Sequence, residues 1–549
     1  MKKWNLRSKQ SDDIIEQILL NRGIEETKLK DFLDPDFETG LHDPYLLKGM
    51  REAVDRIKLA IERHEKIGIF GDYDADGVPA SAMLAEFLEK KLKLETMVYI
   101  PARKDGYGLN QDGLKKMKSQ GVSLMFAIDL GIREVENVEF AKGLGIETII
   151  LDHHEPGENL PQALALIDPK VPNQNYPFRE LSAGGVTFKF IQALSLEFNN
   201  ISENDLKWLL DLVGITTICD VVPLVDENRI FAKFGLLVLK KTKRIGLIKL
   251  LLEADIIPEK IDTYTVGFQI GPRLNAPGRL KDARASYDLL RSEDPLEAEK
   301  LAKDLNKINL QRQDELNKIL LEARKRIVDD KLNEKKLICL WDKSWSSGLI
   351  GLVAGRITEE FSRPCFILEY GQLSSRGSGR SVANFNLVDA LEKVSGTLEK
   401  YGGHAKAAGI TVRNDQLQNF YNEILVIAEK ELKTEDLVPI IEIDAELKVS
   451  DITLALFDRL KKLEPHGLSN PRPVFSLKKV KVESARVIGK NENHLKLNIA
   501  GLNAVAFNWG EMITKIESSH EIDVAFTLDE NNWGNKREVQ LKIVDFRFE

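Results

Sequence analysis

The chain has 549 residues, with 78 Lys and Arg against 86 Asp and Glu for a formal charge of −8, and three cysteines. At roughly one domain per 150 residues this is room for about three or four domains, and the acidic balance excludes a protein that grips nucleic acid by bulk charge. Cys219, Cys339 and Cys365 are too few and too scattered for a disulfide framework or a structural zinc site, which points to a reducing cytoplasm.

Residues 1–50 read as a polar, partly helical lead-in with Asp-Pro turns at Asp34-Pro35 and Asp43-Pro44. Its basic start lacks the apolar stretch of a signal peptide, and no apolar run approaches the roughly 20 residues that cross a bilayer, so no membrane is expected. From 51 to 290 helix and strand alternate. A helix is expected over 53–64, with strands at Ile67–Gly71, 96–100, Leu124–Ile128 and Glu147–Leu151. That alternation predicts an α/β domain with a doubly wound parallel sheet, whose ligands gather at the carboxyl ends of its strands. Residues 295–327 carry apolar positions at helical spacing (Leu301, Leu305, Ile308, Leu316, Leu320) and predict a long connecting helix within 291–335. A second, smaller α/β domain is expected over 336–436. Short strands between Asn/Gly turns over 437–549 predict an OB-like β-barrel.

Strand Ile67–Gly71 runs into Asp72-Tyr73-Asp74-Ala75-Asp76-Gly77. Three carboxylates at alternate positions repel one another unless a cation or protons intervene. An acidic turn with a helix cap is the plainer alternative, and an EF-hand fails because the twelfth position has no glutamate. Asp129 follows the third strand, Asp152-His153-His154 follows the fourth, and Asp220 ends the stretch Gly214-Ile215-Thr216-Thr217-Ile218-Cys219. Alone, each is a cap or polar surface; gathered by one sheet, they form a carboxylate and imidazole set suited to Mn²⁺ or Mg²⁺. Two such ions can activate a water and clamp a phosphoryl oxygen.

The order of these motifs resembles the DHH phosphoesterase superfamily, and Gly402-Gly403-His404-Ala405-Lys406-Ala407-Ala408-Gly409 resembles the signature of its companion DHHA1 domain. The segments Arg103-Lys104-Asp105-Gly106-Tyr107-Gly108-Leu109, Pro272-Arg273-Leu274-Asn275-Ala276-Pro277-Gly278-Arg279, Gly377-Ser378-Gly379-Arg380-Ser381 and Pro465-His466-Gly467-Leu468-Ser469-Asn470-Pro471 narrow the likeness. Over residues 4–549 the chain is similar to the RecJ family of single-strand-specific 5′→3′ exonucleases. The resemblance implies two divalent ions, Mn²⁺ or Mg²⁺, held by Asp74, Asp76, Asp129, His153 and Asp220, with Asp129 bridging. It implies that Asp72 supports the site, Asp152 orients His153, and His154 faces the phosphate. Arg279 and His404 would lie at the scissile phosphate; Arg103, Ser378 and Arg380 would take the terminal 5′-phosphate, and Asn275 joins the substrate-binding set.

The activity so implied is stepwise release of nucleoside 5′-monophosphates from single-stranded DNA in repair and recombination. A cleft too narrow for a duplex would set the strand preference. Single-strand-binding protein and a helicase are the implied partners, and the expected state is a cytoplasmic monomer. Pro79, Leu130 and Ser346 depart from the family pattern where a small hydroxyl residue, a polar or Cys residue and a His are customary. The alternatives are a small-substrate DHH phosphatase for oligoribonucleotides or adenosine bisphosphate, a cyclic-dinucleotide phosphodiesterase, and an inactive replication scaffold. The C-terminal barrel argues against the first, the lack of membrane or sensor segments against the second, and the intact ligand set against the third.

Two basic strips could guide a strand. Residues 229–249 hold seven basic side chains (Arg229, Lys233, Lys240, Lys241, Lys243, Arg244, Lys249) and no acidic ones; residues 461–490 hold eight against Glu464 and Glu483. Phe475, Phe507 and Trp509 in the barrel are candidates to stack on bases, or else core.

Overall fold

Five short runs, buried throughout in the two central strands and half-buried at the Thr96–Tyr99 edge, build the sheet that carries the acidic residues: β1 (Ile67–Gly71), β2 (Thr96–Tyr99), β3 (Leu124–Ile128), β4 (Glu147–Leu151) and β5 (Ala165–Ile167). They belong to a computed structural model that describes residues 2–102, 106, 108–519, 521–533 and 536–548; Arg103 lies outside them. The strands pair in parallel in the order β2-β1-β3-β4-β5, with Ile67 opposite both Thr96 and Leu124. Both faces of the central strands are covered, so those strands read as continuous apolar runs without alternation. The chain runs from β1 outward to β2 and then returns to the other side of β1 at β3. This reversal opens a crevice at the carboxyl ends of β1 and β3, where a doubly wound sheet binds its ligand.

The expected strands are present at the expected places, and β5 adds a fifth that three residues beside a proline did not signal. Helix Gly77–Leu92 leaves β1 and packs against helices Ala183–Glu197 and Glu203–Cys219. Pro79 sits in its first turn, where a missing N–H costs nothing, and Leu130 is buried in the apolar core. Helix Glu203–Cys219 crosses Asp226–Leu239 at Gly214 and Gly235; a Cβ on Gly214 would stand 2.8 Å from the Gly235 Cα, so only glycine permits this approach.

By contacts the chain forms two units, one of residues 4–275, 283–303 and 442–549, the other of 1–3, 276–282 and 304–441. In the first, a seven-stranded sheet runs from Ala445 to Phe548 and includes strands Phe475–Val480, Val482–Ile488, His494–Ile499 and Leu502–Ala506. Its core takes in Ile15, Ile18 and Leu19 from helix Ile14–Asn21, together with Phe32, so the lead-in completes the core of the C-terminal sheet. The second unit holds a five-stranded sheet of Ile338–Asp342, Cys365–Glu369, Ser374–Arg380, Lys400–His404 and Ala407–Arg413 over a core around Phe366, Phe385 and Phe420. Ser346 accepts a hydrogen bond on its Oγ from Gly348 N, shaping the turn before helix Ile350–Phe361. The long helix expected over 295–327 spans Pro295–Asp329.

Much of the first basic strip is answered from within the protein. Arg229 is 1% exposed: Nε donates to Phe32 O, Nη1 to Leu463 O, and Nη2 to the carbonyls of Lys462 and Glu464. Its guanidinium also lies 3.8 Å over the Phe32 ring. Arg244 is held by Asp211 and Glu86, Lys249 by Glu299, and Lys243 lies over Trp208. Charge summed along the chain does not show partners distant in sequence. In the second strip Arg472, Lys479, Lys481, Arg486 and Lys490 are exposed. Phe475 is wholly buried and Trp509 packs edge-on against Phe546, which leaves Phe507 as the surface aromatic of the three.

Arg229 thus ties its own helix to Phe32 and to residues 462–464 through their backbone carbonyls. Arg229→Met keeps the packing volume but strands several buried acceptors, each worth about 1–3 kcal/mol. The variant should lose roughly 3 kcal/mol or more in a urea titration followed by tryptophan fluorescence; a midpoint equal to that of the parent would contradict this account.

Candidate metal centre

Asp72, Asp74 and Asp76 leave the end of β1, Asp129 the end of β3, and Asp152, His153 and His154 the end of β4. Asp220 comes from the C-terminus of helix Glu203–Cys219, where a carboxylate faces the negative end of the helix dipole. These side chains converge. His153 Nε2 lies 3.3 Å from Asp129 Oδ1, 3.6 Å from Asp220 Oδ2 and 3.7 Å from Asp76 Oδ2. Ligand atoms of Asp76, His153 and Asp220 fall within 4.8 Å of one another, and so do those of Asp72, Asp74 and Asp129.

Asp74, Asp76 and Asp152 are fixed from behind by backbone amides. Asp74 Oδ1 accepts from the backbone of Asp76 and Gly77, and Asn275 Oδ1 accepts from Ala75 N at 2.7 Å, which shapes the acidic loop. A Cβ on Gly77 would stand 2.8 Å from the Asp72 backbone, so the loop closes only with glycine there. Asp76 accepts from Ala183 N and Gly184 N, at the N-terminus of helix Ala183–Glu197. Asp129 adopts φ 63°, a left-handed conformation that costs a non-glycine residue free energy and recurs at functional sites. Asp152 accepts from the amides of Ile132, His153 and His154 and from His154 Nδ1 at 2.7 Å. It orients the loop bearing both histidines, with its ring contact to His154 and not to His153.

The electrostatics favour a cation. Burial raises Asp129, and Asp76 and Asp74 raise it further; burial likewise raises Asp220 and Asp76. Burial pushes His153 down to about 3, so its imidazole is neutral at pH 7. Burial also works against His154⁺, but the bond to Asp152 prevails and holds it at about 9. The decisive observation is His153 Nε2, which is buried and has no hydrogen-bond partner although three carboxylates surround it. A neutral nitrogen whose lone pair faces carboxylate oxygens is repelled by them, unless a cation lies among all of them. The donor set, carboxylates and imidazole without thiolate, fits Mn²⁺ or Mg²⁺.

The second unit carries a different cluster. Arg380 Nη1 donates to Ser378 Oγ at 2.9 Å, and both side chains lie over Gly351 in the first turn of helix Ile350–Phe361. Burial lowers Arg380. Arg279 Nη1 donates to Gly348 O at 3.3 Å, just before the same helix. His404 is exposed at the end of strand Lys400–His404, beside Gly403 with φ 147°.

Residues 66–217 match the DHH family, N-terminal domain, residues 333–433 the DHHA1 domain, and residues 443–545 the RecJ OB domain. The single-stranded-DNA-specific exonuclease RecJ of Dickeya dadantii is 32% identical over 528 residues, which cover 92% of this chain and 91% of that protein. This chain belongs to the RecJ family. The RecJ of Bacillus subtilis is 37% identical over 539 residues, covering 97% of this chain and 67% of its relative. The crystal structure of RecJ from Thermus thermophilus in complex with Mn²⁺ superposes with a TM-score of 0.86 at 28% identity, covering 100% of this chain and 80% of that one. The same RecJ in complex with Mg²⁺ gives 0.78 at 26% identity, covering 100% and 78%.

Two features of this RecJ-family site were missed in the sequence. Asp168, after β5, is buried and raised to about 8, first by burial and then by Asp152; it ends a strand of three residues, too short for the strand-end pattern that marked Asp129 to reach it. The run Ser182-Ala183-Gly184-Gly185 is the helix start that grips Asp76.

Losing the lock behind the ligands should weaken metal binding without touching it. Asp152→Asn is expected to cost about 10- to 100-fold in Mn²⁺ affinity by calorimetry, and His153→Ala more, with an unchanged far-ultraviolet spectrum. Parental affinity in both variants would rule out this centre.

Proposed function

We propose that this protein is a single-strand-specific DNA exonuclease that releases nucleoside 5′-monophosphates from a 5′ end, with two divalent ions, Mn²⁺ or Mg²⁺, as cofactors. The observation that carries the proposal is the unpartnered His153 Nε2 ringed by Asp76, Asp129 and Asp220, in a chain of the RecJ family. Asp74, Asp76, Asp129, His153 and Asp220 would hold the ions, and the grouping of Asp72 with Asp74 and Asp129 supports adding Asp72 to them. When bound, the ions activate a water and neutralise charge on the phosphoryl oxygens.

The remaining roles fall to side chains. His154, kept protonated by Asp152, presents Nε2 as a donor to a phosphate oxygen, and Asp152 holds the proton on Nδ1. Ser378 Oγ, the Arg380 guanidinium and the N-terminus of helix Ile350–Phe361 make a cradle for a terminal 5′-phosphate. Arg279 and His404 are proposed at the scissile phosphate. The partner is single-stranded DNA, kept unpaired by a single-strand-binding protein and a helicase. The three free cysteines accord with a reducing cytoplasm, and no described helix is long and apolar enough to cross a membrane.

The test is incubation of 3′-labelled single strands and duplexes, with and without a 5′-phosphate, in Mn²⁺, Mg²⁺ or chelator. Mononucleotides should leave the 5′ end of single strands only, and chelator should stop the release. Arg380→Ala should lose roughly tenfold in kcat/KM on the phosphorylated strand and far less on the 5′-hydroxyl strand, the scale of one charged hydrogen bond. Equal losses on both strands would remove the cradle from the account; release from duplex ends or from 3′ ends would overturn the function.

A further inference from the structure

Outside the metal centre, one surface feature stands apart chemically. Tyr264 and Phe268 are 61% and 67% exposed, and their rings stack on each other with centroids 4.9 Å apart and planes 23° from parallel. Singly exposed aromatics need no explanation, but two aligned aromatic planes held open to water are a costly arrangement for a folded chain.

The segment beneath them is held at both ends. Asp262 Oδ1 accepts from Thr265 N and Thr265 Oγ1 at 2.8 Å, capping the helical start. The backbone then passes through a π-helical turn, Val266–Ile270, a widened geometry found often at functional sites, before helix Gly271–Leu280. Val266 and Ile270 are buried, which turns Phe268 outward. The Val266 carbonyl meets Cys219 Sγ at 3.8 Å, and a Cβ on Gly271 would come within 2.4 Å of that sulfur. Cys219 immediately precedes Asp220. Farther along the same segment, Asn275 holds Ala75 N, between Asp74 and Asp76. The aromatic pair therefore stands on a short rigid segment that braces two of the loops carrying metal ligands.

We propose that Tyr264 and Phe268 form a stacking platform for unpaired bases of the DNA strand whose end enters the metal centre. The inference rests on the proposed function and deepens it. Every base has a π face, so such a platform tolerates sequence, and stacking contributes about 1–3 kcal/mol per base. Bases inside a duplex have both faces covered by their neighbours, so the platform selects single strands by chemistry and not only by the width of a channel. Continuity with the Asp220 and Asp74 loops identifies the occupant as the substrate. Arg273 Nη1 donates to Gln269 O at 2.8 Å, tying the following helix back to the residue next to Phe268.

The platform is tested with a phosphorothioate single strand in which 2-aminopurine is moved stepwise from the 5′ end. The full-length parent should quench its fluorescence in one narrow window of positions, and the double variant Tyr264→Leu, Phe268→Leu should abolish that window. Leucine keeps the apolar area without the ring face. The same variant should raise KM for a twelve-nucleotide strand roughly tenfold or more, while Phe268→Trp keeps both the window and KM. No window in the parent, or a window and KM that survive in the leucine variant, overturns the platform. A parent dimer that the leucine variant dissociates overturns it as well, by assigning the pair to a contact between copies. Failure of the parent to degrade single strands would instead refute the functional reading on which the platform rests.

Discussion

The site depends on a repulsion that the fold sustains. The buried Asp76 and Asp129 and the partly buried Asp220 surround a neutral imidazole nitrogen, and Asp72 and Asp74 stand beside Asp129. Left alone, such a group would relax by taking up protons or by spreading apart. Spreading apart is hindered, because Asp76 is held by two amides at a helix start, Asp74 by its own loop, and Asp129 by its place at the end of a buried central strand, so protons or cations must neutralise the group in place. The energy stored in holding these charges together is available to bind cations.

That constraint explains several otherwise separate features. The doubly wound sheet brings three of the loops together at its switch point, and the C-terminus of helix Glu203–Cys219 delivers Asp220 against the helix dipole. The Gly77 loop, the Ser182–Gly185 helix start and Asn275 act as supports, and Asp152 holds both histidine amides and the His154 ring on Oδ1 while Oδ2 accepts from Ile132 N. The segment from Asp262 to Asn275 belongs to this scaffold and also shows Tyr264 and Phe268 to solvent, so one stretch of chain links ligand positioning with a surface suited to unpaired bases. The negative net charge of the chain reads differently in this light. Part of it is a set of carboxylates to be neutralised by metal, and the basic residues at 229–249 mostly answer internal carboxylates and carbonyls.

The sheet and its acidic ends were legible because buried parallel strands leave continuous apolar runs, and because an aspartate after such a run is conspicuous. The long helix was legible from its period. What could not be read depended on partners far apart in sequence. Arg229 counted as a surface cation until the carbonyls of Phe32 and 462–464 enclosed it, and Phe475 counted as a stacking candidate until the C-terminal core covered it. The strand Ala165–Ile167 and the buried Asp168 after it were too short a signal beside Pro161 and Pro169. Tyr264 and Phe268 escaped because a spacing of four residues describes a buried helical face as well as an exposed one, and only the structure turns these rings outward.

The central claim is that the buried carboxylates and His153 are one cation site with Asp129 at its middle. Anomalous diffraction at the manganese edge, from crystals of this chain grown with Mn²⁺, tests it most directly. The account predicts two peaks about 3.5–4 Å apart, one among Asp76, His153 and Asp220, the other between Asp72 and Asp74, with Asp129 touching both. A pocket free of anomalous density at saturating Mn²⁺, with the carboxylates paired through shared protons instead, would contradict it.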